Sequence, residues 1–204
     1  VQIAAAKYHS AAVTGDGELL TWGFGLGGRL GHPEHHIHSG ERAVIQPQPV
    51  TALGRRQVAM VAVAKHHCLC VTTSGELLSW GSNREGVLGY PKPESQATPR
   101  AVPSLRGTRI VSVAAASRHS AAVSHTGALF TWGSNEFGQL GHVGLDGPSL
   151  ATPRSVDALK NRRLQQVAAA ERHTVVLTSD GDILQWGHGS PVVRRVALAG
   201  VRDV

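Results

Sequence analysis

Aromatic residues are scarce: four Trp, two Tyr and three Phe in 204 positions. A ring that recurs at a fixed place in such a chain is therefore a main packing anchor. Cysteine is scarcer still. Cys68 and Cys70 stand two apart, so in a strand they share one face, and a bridge between them would be badly strained. No disulfide framework is available, which fits a reducing compartment, cytoplasm or nucleus. Apolar runs are short and interrupted, which excludes a membrane-spanning helix, and no secretory apolar segment opens the chain. The only Met is Met60 and the first residue is Val, so the chain reads as a segment of something longer. Acidic residues are the minority, 14 against 20 Lys and Arg, for a net charge of +6. A basic surface favours acidic partners, nucleic acid or anionic lipid, but it does not fix a fold. The basic residues are scattered, with short pairs at Arg55-Arg56, Arg162-Arg163 and Arg194-Arg195. There is no Gly-x-Ser-x-Gly elbow, no phosphate loop and no His-Glu-x-x-His helix, and carboxylates do not pair. No catalytic residue, cofactor or metal site is expected, and the chain reads as a non-enzyme.

What is present is a repeat. His9 precedes Trp22, His67 precedes Trp80, His119 precedes Trp132 and His173 precedes Trp186, each by 13 residues. The copies themselves lie 58, 52 and 54 residues apart. Constant inner spacing with variable outer spacing describes one rigid unit joined by loops of different length. Residues held in every copy serve the fold: His9, His67, His119 and His173; Trp22, Trp80, Trp132 and Trp186; Gly23, Gly81, Gly133 and Gly187. Each His is expected to tie its strand to a neighbouring backbone carbonyl.

Within a copy, an Ala-rich apolar stretch comes first, as in Val113-Ala114-Ala115-Ala116. Alanine favours helices, but the run is short, the next segment alternates, and a turn such as Asp16-Gly17 follows. Ala-rich strands suit a place where neighbouring backbones crowd round an axis. A third strand ends in Trp, and a Gly-rich turn follows it. Gly25, Asn83, Asn135 and Gly189, three residues after Trp, are expected in the left-handed region. A fourth strand begins near Pro47, Pro99 and Pro153 and runs through Val50, Val102 and Val156 to Leu53, Leu105 and Leu159, and Pro suits an outer edge. Small buried side chains are the reading for Cys68 and Cys70. In the fourth copy the interval from Trp186 to Pro191 is only five residues, so its turn is cut short.

Four antiparallel strands per unit of about 50 residues make an all-β β-propeller of four-stranded blades. The blades are expected at 1–53, 58–105, 110–159 and 164–198, with 199–204 beginning a further unit. At this point TWGSNEFGQLG (131–141) and RHSAAV (118–123), with their counterparts, resemble the regulator of chromosome condensation repeat family. That resemblance implies a seven-bladed ring of which about four blades are here; a closed four-bladed ring is the alternative. Within the family, residues 22–38 and 190–198 look like the inhibitor of Bruton tyrosine kinase type, which joins the propeller to ankyrin and BTB modules and implies a kinase partner or a ubiquitin-ligase role. The family also includes exchange factors for a small nuclear GTPase, and ultraviolet-B receptors. The receptors carry Trp two residues before the repeated His; here Lys7, Lys65, Ser117 and Glu171 stand there, which argues against photoreception.

The main expectation is a non-enzymatic protein-interaction scaffold whose partner is held by loops on one face. Nucleotide exchange on a small GTPase and chromatin or nucleic-acid binding are the alternatives. Non-repeated content lies in the loops 32–46, 90–98 and 142–152. The first of these holds His32, Glu34, His35, His36 and His38, expected as a surface contact loop in preference to a zinc site. Gly23-x-Gly25-x-x-Gly28 matches a dinucleotide fingerprint formally, but no helix is expected after it. A fragment of such an array is expected to expose apolar end faces and to aggregate.

Overall fold

The alanine-rich stretch at the head of every copy is a strand. The structure, a computed structural model, describes residues 1–33 and 43–197. It contains four antiparallel sheets of four strands each, every sheet a meander in chain order. The first is β1 (Gln2–Ala5), β2 (His9–Val13), β3 (Leu19–Phe24) and β4 (Ala43–Pro49). The second is β5 (Val58–Val63), β6 (His67–Thr72), β7 (Leu77–Gly81) and β8 (Gln96–Ala101). The third is β9 (Ile110–Ala115), β10 (His119–Ser124), β11 (Leu129–Ser134) and β12 (Ser149–Ser155). The fourth is β13 (Leu164–Ala169), β14 (His173–Thr178), β15 (Ile183–Gly187) and β16 (Ser190–Arg195).

The constant offset of 13 is a strand register. The residue after His pairs with Trp, as Ser10 with Trp22 and Cys68 with Trp80. His itself pairs with the Gly after Trp, as His119 with Gly133 and His173 with Gly187. Those glycines, not the positions two further on, take the left-handed backbone: φ is 111° at Gly23, 108° at Gly81, 103° at Gly133 and 113° at Gly187. A Cβ on Gly81 would lie 2.5 Å from the His66 carbonyl oxygen and 2.7 Å from the His67 Cα. Of the four positions expected in that region, only Gly189 (φ 97°) is there; Gly25 has φ −89°. Asn83 and Asn135 hold the turn with their side chains instead. Asn83 Oδ1 accepts from Leu88 N at 3.0 Å, and Asn135 Oδ1 from Leu140 N at 3.1 Å.

The Pro-bearing strands are the outermost of each sheet. They end earlier than expected, and a single 3-10 turn (Thr51–Leu53, Pro103–Leu105, Asp157–Leu159) carries the following Leu inward. In the fourth sheet β15 and β16 are joined by His188 and Gly189 alone, with Gly187 paired to Ser190.

The sheets stack as blades. Innermost β1 contacts β5, β5 contacts β9 and β9 contacts β13, while no comparable contact joins the fourth sheet to the first among the described residues. The molecule is a partial propeller of about four blades, an open arc. Three apolar clusters fill its three joints. Val50 and Leu53 of the first blade pack with Trp80; Leu88, Val102 and Leu105 of the second with Trp132; Val156 and Leu159 of the third with Trp186. Alternation in β6 sends Cys68 and Cys70 to the first joint and Leu69 and Val71 to the second.

Candidate functional site

Each joint carries the same polar relay. His67 Nε2 of the second blade lies 2.8 Å from Ser120 Oγ of the third, and Ser120 Oγ donates at 2.8 Å to the Val87 carbonyl of the second. Trp132 Nε1 donates to that carbonyl too, at 2.7 Å. His9, Cys68, Arg29 O and Trp80 repeat the pattern; so do His119, Thr174, Gln139 O and Trp186. The repeated His therefore reaches a side-chain hydroxyl or thiol, with the carbonyl one step beyond; a direct bond to a carbonyl is not what forms. Because the hydroxyl gives its one proton to the carbonyl, the imidazole must donate through Nε2 and leave Nδ1 bare. His9, His67 and His119 each have a buried, unpartnered Nδ1. Burial drives these imidazoles to pKa values of about 4, about 3 and about 4. They stand neutral at ordinary pH and bridge the joints. The same surroundings push both Cys thiols well up, chiefly by desolvation, so neither is a thiolate.

His32 is also structural. It is 2% exposed, not a surface contact, and its Nε2 lies 3.0 Å from Thr21 Oγ1. Tyr90 with Ser79 and His142 with Thr131 repeat the arrangement, at 2.8 and 3.1 Å. The signal is present in the chain, since His32, Tyr90 and His142 all follow a Leu-Gly pair. Glu34, His35, His36 and His38 lie outside the described residues. Among the described residues no three His, Cys, Asp or Glu side chains gather as a metal site, and no helix is long and apolar enough to cross a membrane. The glycine fingerprint at Gly23 runs into a single 3-10 turn, Leu26–Gly28, which provides no helix N-terminus for a pyrophosphate.

What differs between copies gathers at the axis. The bends before the repeated His carry Lys7-Tyr8, Lys65-His66, Ser117-Arg118 and Glu171-Arg172. Lys7, Lys65, His66, Ser117, Arg118 and Glu171, with Ser82, Arg84 and Glu85 of the second Gly-rich turn, line a cavity of about 460 Å³. The backbone fixes these bends against the turns: Phe24 N donates to Tyr8 O, Ser82 N to His66 O, Ser134 N to Arg118 O. The loops 90–98 and 142–152 leave from the same strand ends, so mouth and loops share one face.

Charge is uneven round this mouth. Arg118 bonds Glu136 and lies 3.4 Å from Glu85. Arg29, 3% exposed, donates to the Lys65 carbonyl at 2.8 Å and stands over the Tyr8 and Phe24 rings at 5.3 and 5.7 Å. Among the described residues no carboxylate pairs with Lys7, Lys65 or Arg84. The His66 pKa is lowered, first by burial and then by Arg29, Lys65 and Arg84. The mouth was missed from sequence because it holds no repeat. Its trace is the variable position two before each His, the same one that argues against photoreception.

Residues 16–71, 74–123 and 126–177 match the model of the Regulator of chromosome condensation (RCC1) repeat. The chain is 37% identical over 186 residues to Ultraviolet-B receptor UVR8 of Arabidopsis thaliana, covering 91% of this chain and 40% of that protein. It is 36% identical over 193 residues to E3 ubiquitin-protein ligase HERC2 of Homo sapiens, covering 93% of this chain and 4% of the ligase. It thus spans well under half of the curated relatives it matches. Human WBSCR16 superposes with a TM-score of 0.81 at 25% identity, over 96% of this chain and 51% of that one. Yeast RCC1 (Prp20), in complex with Kap60, gives 0.77 at 23% identity, over 97% and 48%, and supports the fold alone. Nothing in these similarities supports the narrower inhibitor of Bruton tyrosine kinase type, whose distinctive segment runs into residues 34–38, outside those described. The chain belongs to the regulator of chromosome condensation (RCC1) repeat family.

Proposed function

We propose that this chain is a non-enzymatic protein-interaction module that holds its partner on the face bearing the axial mouth. One observation carries the reading. The repeated His, Trp and Gly are engaged in strand register, and His9, His67, His119, Trp80, Trp132 and Trp186 also in the three joints, whereas the copy-specific polar side chains surround one cavity. A kinase or a small GTPase as that partner, in cytoplasm or nucleus, is part of the proposal. The solved relative Prp20p has been crystallised in work on its binding to Gsp1p and histones, and that binding belongs to Prp20p. A photo-crosslinker at Ser117, in the mouth, is expected to capture a partner that the same group at Arg106, on the opposite rim, does not. Capture from Arg106 alone would place the partner elsewhere. Acceleration of fluorescent-nucleotide release from a small GTPase would replace this reading with exchange.

A further inference from the structure

We infer that the axial mouth takes an acidic, extended peptide segment of a partner protein, with its carboxylates over the first two blades. The inference rests on the interaction-module reading and deepens it. Lys7, Lys65 and Arg84 come from the first and second blades and project around one cavity. Lys7 and Arg84 are exposed and Lys65 is half-buried. Among the described residues none of the three has a carboxylate partner, although they share the mouth with Arg118, which has two. Beneath them lies a fixed charge. The guanidinium of Arg29 is held by the Leu26 and Lys65 carbonyls at 2.6 and 2.8 Å, and no carboxylate pairs with it among the described residues. Like charges gathered without counter-charge repel one another, and an incoming anion relieves that repulsion.

The far side of the mouth differs. Arg118 is already held by Glu85 and Glu136, and Glu171 is exposed without a basic partner among the described residues. A uniform polyanion laid across the mouth meets Glu85 and Glu171 as well as the cations. A peptide does not have that conflict, because its acidic residues can be confined to one end while backbone N–H groups or a basic residue face Glu171. A cavity of about 460 Å³ is in the range that encloses a small ligand or a few residues of chain. Peptide is therefore favoured over nucleic acid.

The test uses fluorescence anisotropy of a labelled octapeptide with four Glu at one end and Gly-Ser repeats at the other, with an all-Gly-Ser peptide and an oligothymidylate of matched charge beside it. The half-acidic peptide is expected to bind, and to weaken several-fold between about 50 mM and about 200 mM salt. Lys65→Glu with Arg84→Glu is expected to lower its affinity about tenfold or more, and Glu171→Lys to raise it a few-fold. Circular dichroism melting checks that the blades remain folded, since neither Lys65 nor Arg84 lends its side chain to a joint. Failure of the half-acidic peptide to bind overturns the inference. So does binding indifferent to all three substitutions, or tighter binding of the oligothymidylate. If Ser117 crosslinking to a partner survives Lys65→Glu with Arg84→Glu, the interaction-module reading stands and this inference falls.

Discussion

At the scale of single residues, the positions that tolerate least are glycines whose missing side chain is an approach distance. Gly81 combines φ 108° with a carbonyl oxygen where its Cβ would be, so Gly81→Ala is strained in backbone and in space. A loss of about 2–3 kcal/mol is expected in urea unfolding. Gly15→Ala is the control, because nothing lies within 4 Å of a Cβ there and its φ is not in the left-handed region. It should stay within about 0.5 kcal/mol of the parent. Equal losses at the two sites would remove the steric account. These glycines are legible in the chain as a column after Trp, yet their conformation is not. Asn and Gly at the next variable column invite the left-handed assignment more strongly, and only contact geometry shows that Asn83 and Asn135 act through their side chains.

At the scale of the element, the unit of stability is the joint and not the blade. Trp132 is fully buried and packs on Leu88, Val102 and Leu105 of the preceding blade, while its Nε1 donates to Val87 O. Trp132→Ala is expected to cost about 3–5 kcal/mol by chemical denaturation, and under about 1 kcal/mol would contradict the packing role. The strands themselves are readable because period-two alternation, a Gly-bearing turn and a fixed offset all agree. The relay is less readable. Ser10, Cys68, Ser120 and Thr174 look like a column of small residues, and what unites them, an O–H or S–H donor, matters only once a His from another blade stands opposite. The cavity is less readable still, since its lining is drawn from four blades and only Lys7 and Lys65 recur at equivalent positions.

At the scale of the whole molecule, the three buried imidazoles set a pH response. Their folded pKa values of about 3–4 lie below the ordinary 6.5, so the unfolded chain binds protons that the folded chain does not. Stability is full above pH 6.5 and is lost as pH falls towards 4. Each fully coupled site contributes about 1.4 kcal/mol per pH unit in that window, for roughly 4 kcal/mol per unit at most from three. Urea midpoints at neutral and mildly acidic pH test this, and His119→Gln should flatten the profile by about a third. A profile already flat in the parent would show that the joints open or hydrate before protonation.

The abbreviated hairpin between β15 and β16 has a consequence for how the arc can be extended. In the first three blades the long Gly-rich turn offers a carbonyl (Arg29, Val87, Gln139) to the indole and the hydroxyl or thiol of its successor. With His188 and Gly189 as its whole connection, the fourth blade has no equivalent oxygen to present, and His173 instead stacks at 4.4 Å on the imidazole of His188. A sheet added on that side would meet an aromatic platform where its predecessors met an acceptor. Its junction would keep the backbone bond that Gly17, Gly75 and Gly127 offer to Val58, Ile110 and Leu164, now from Gly181, but would lose the relay, leaving it weaker than the three joints before it.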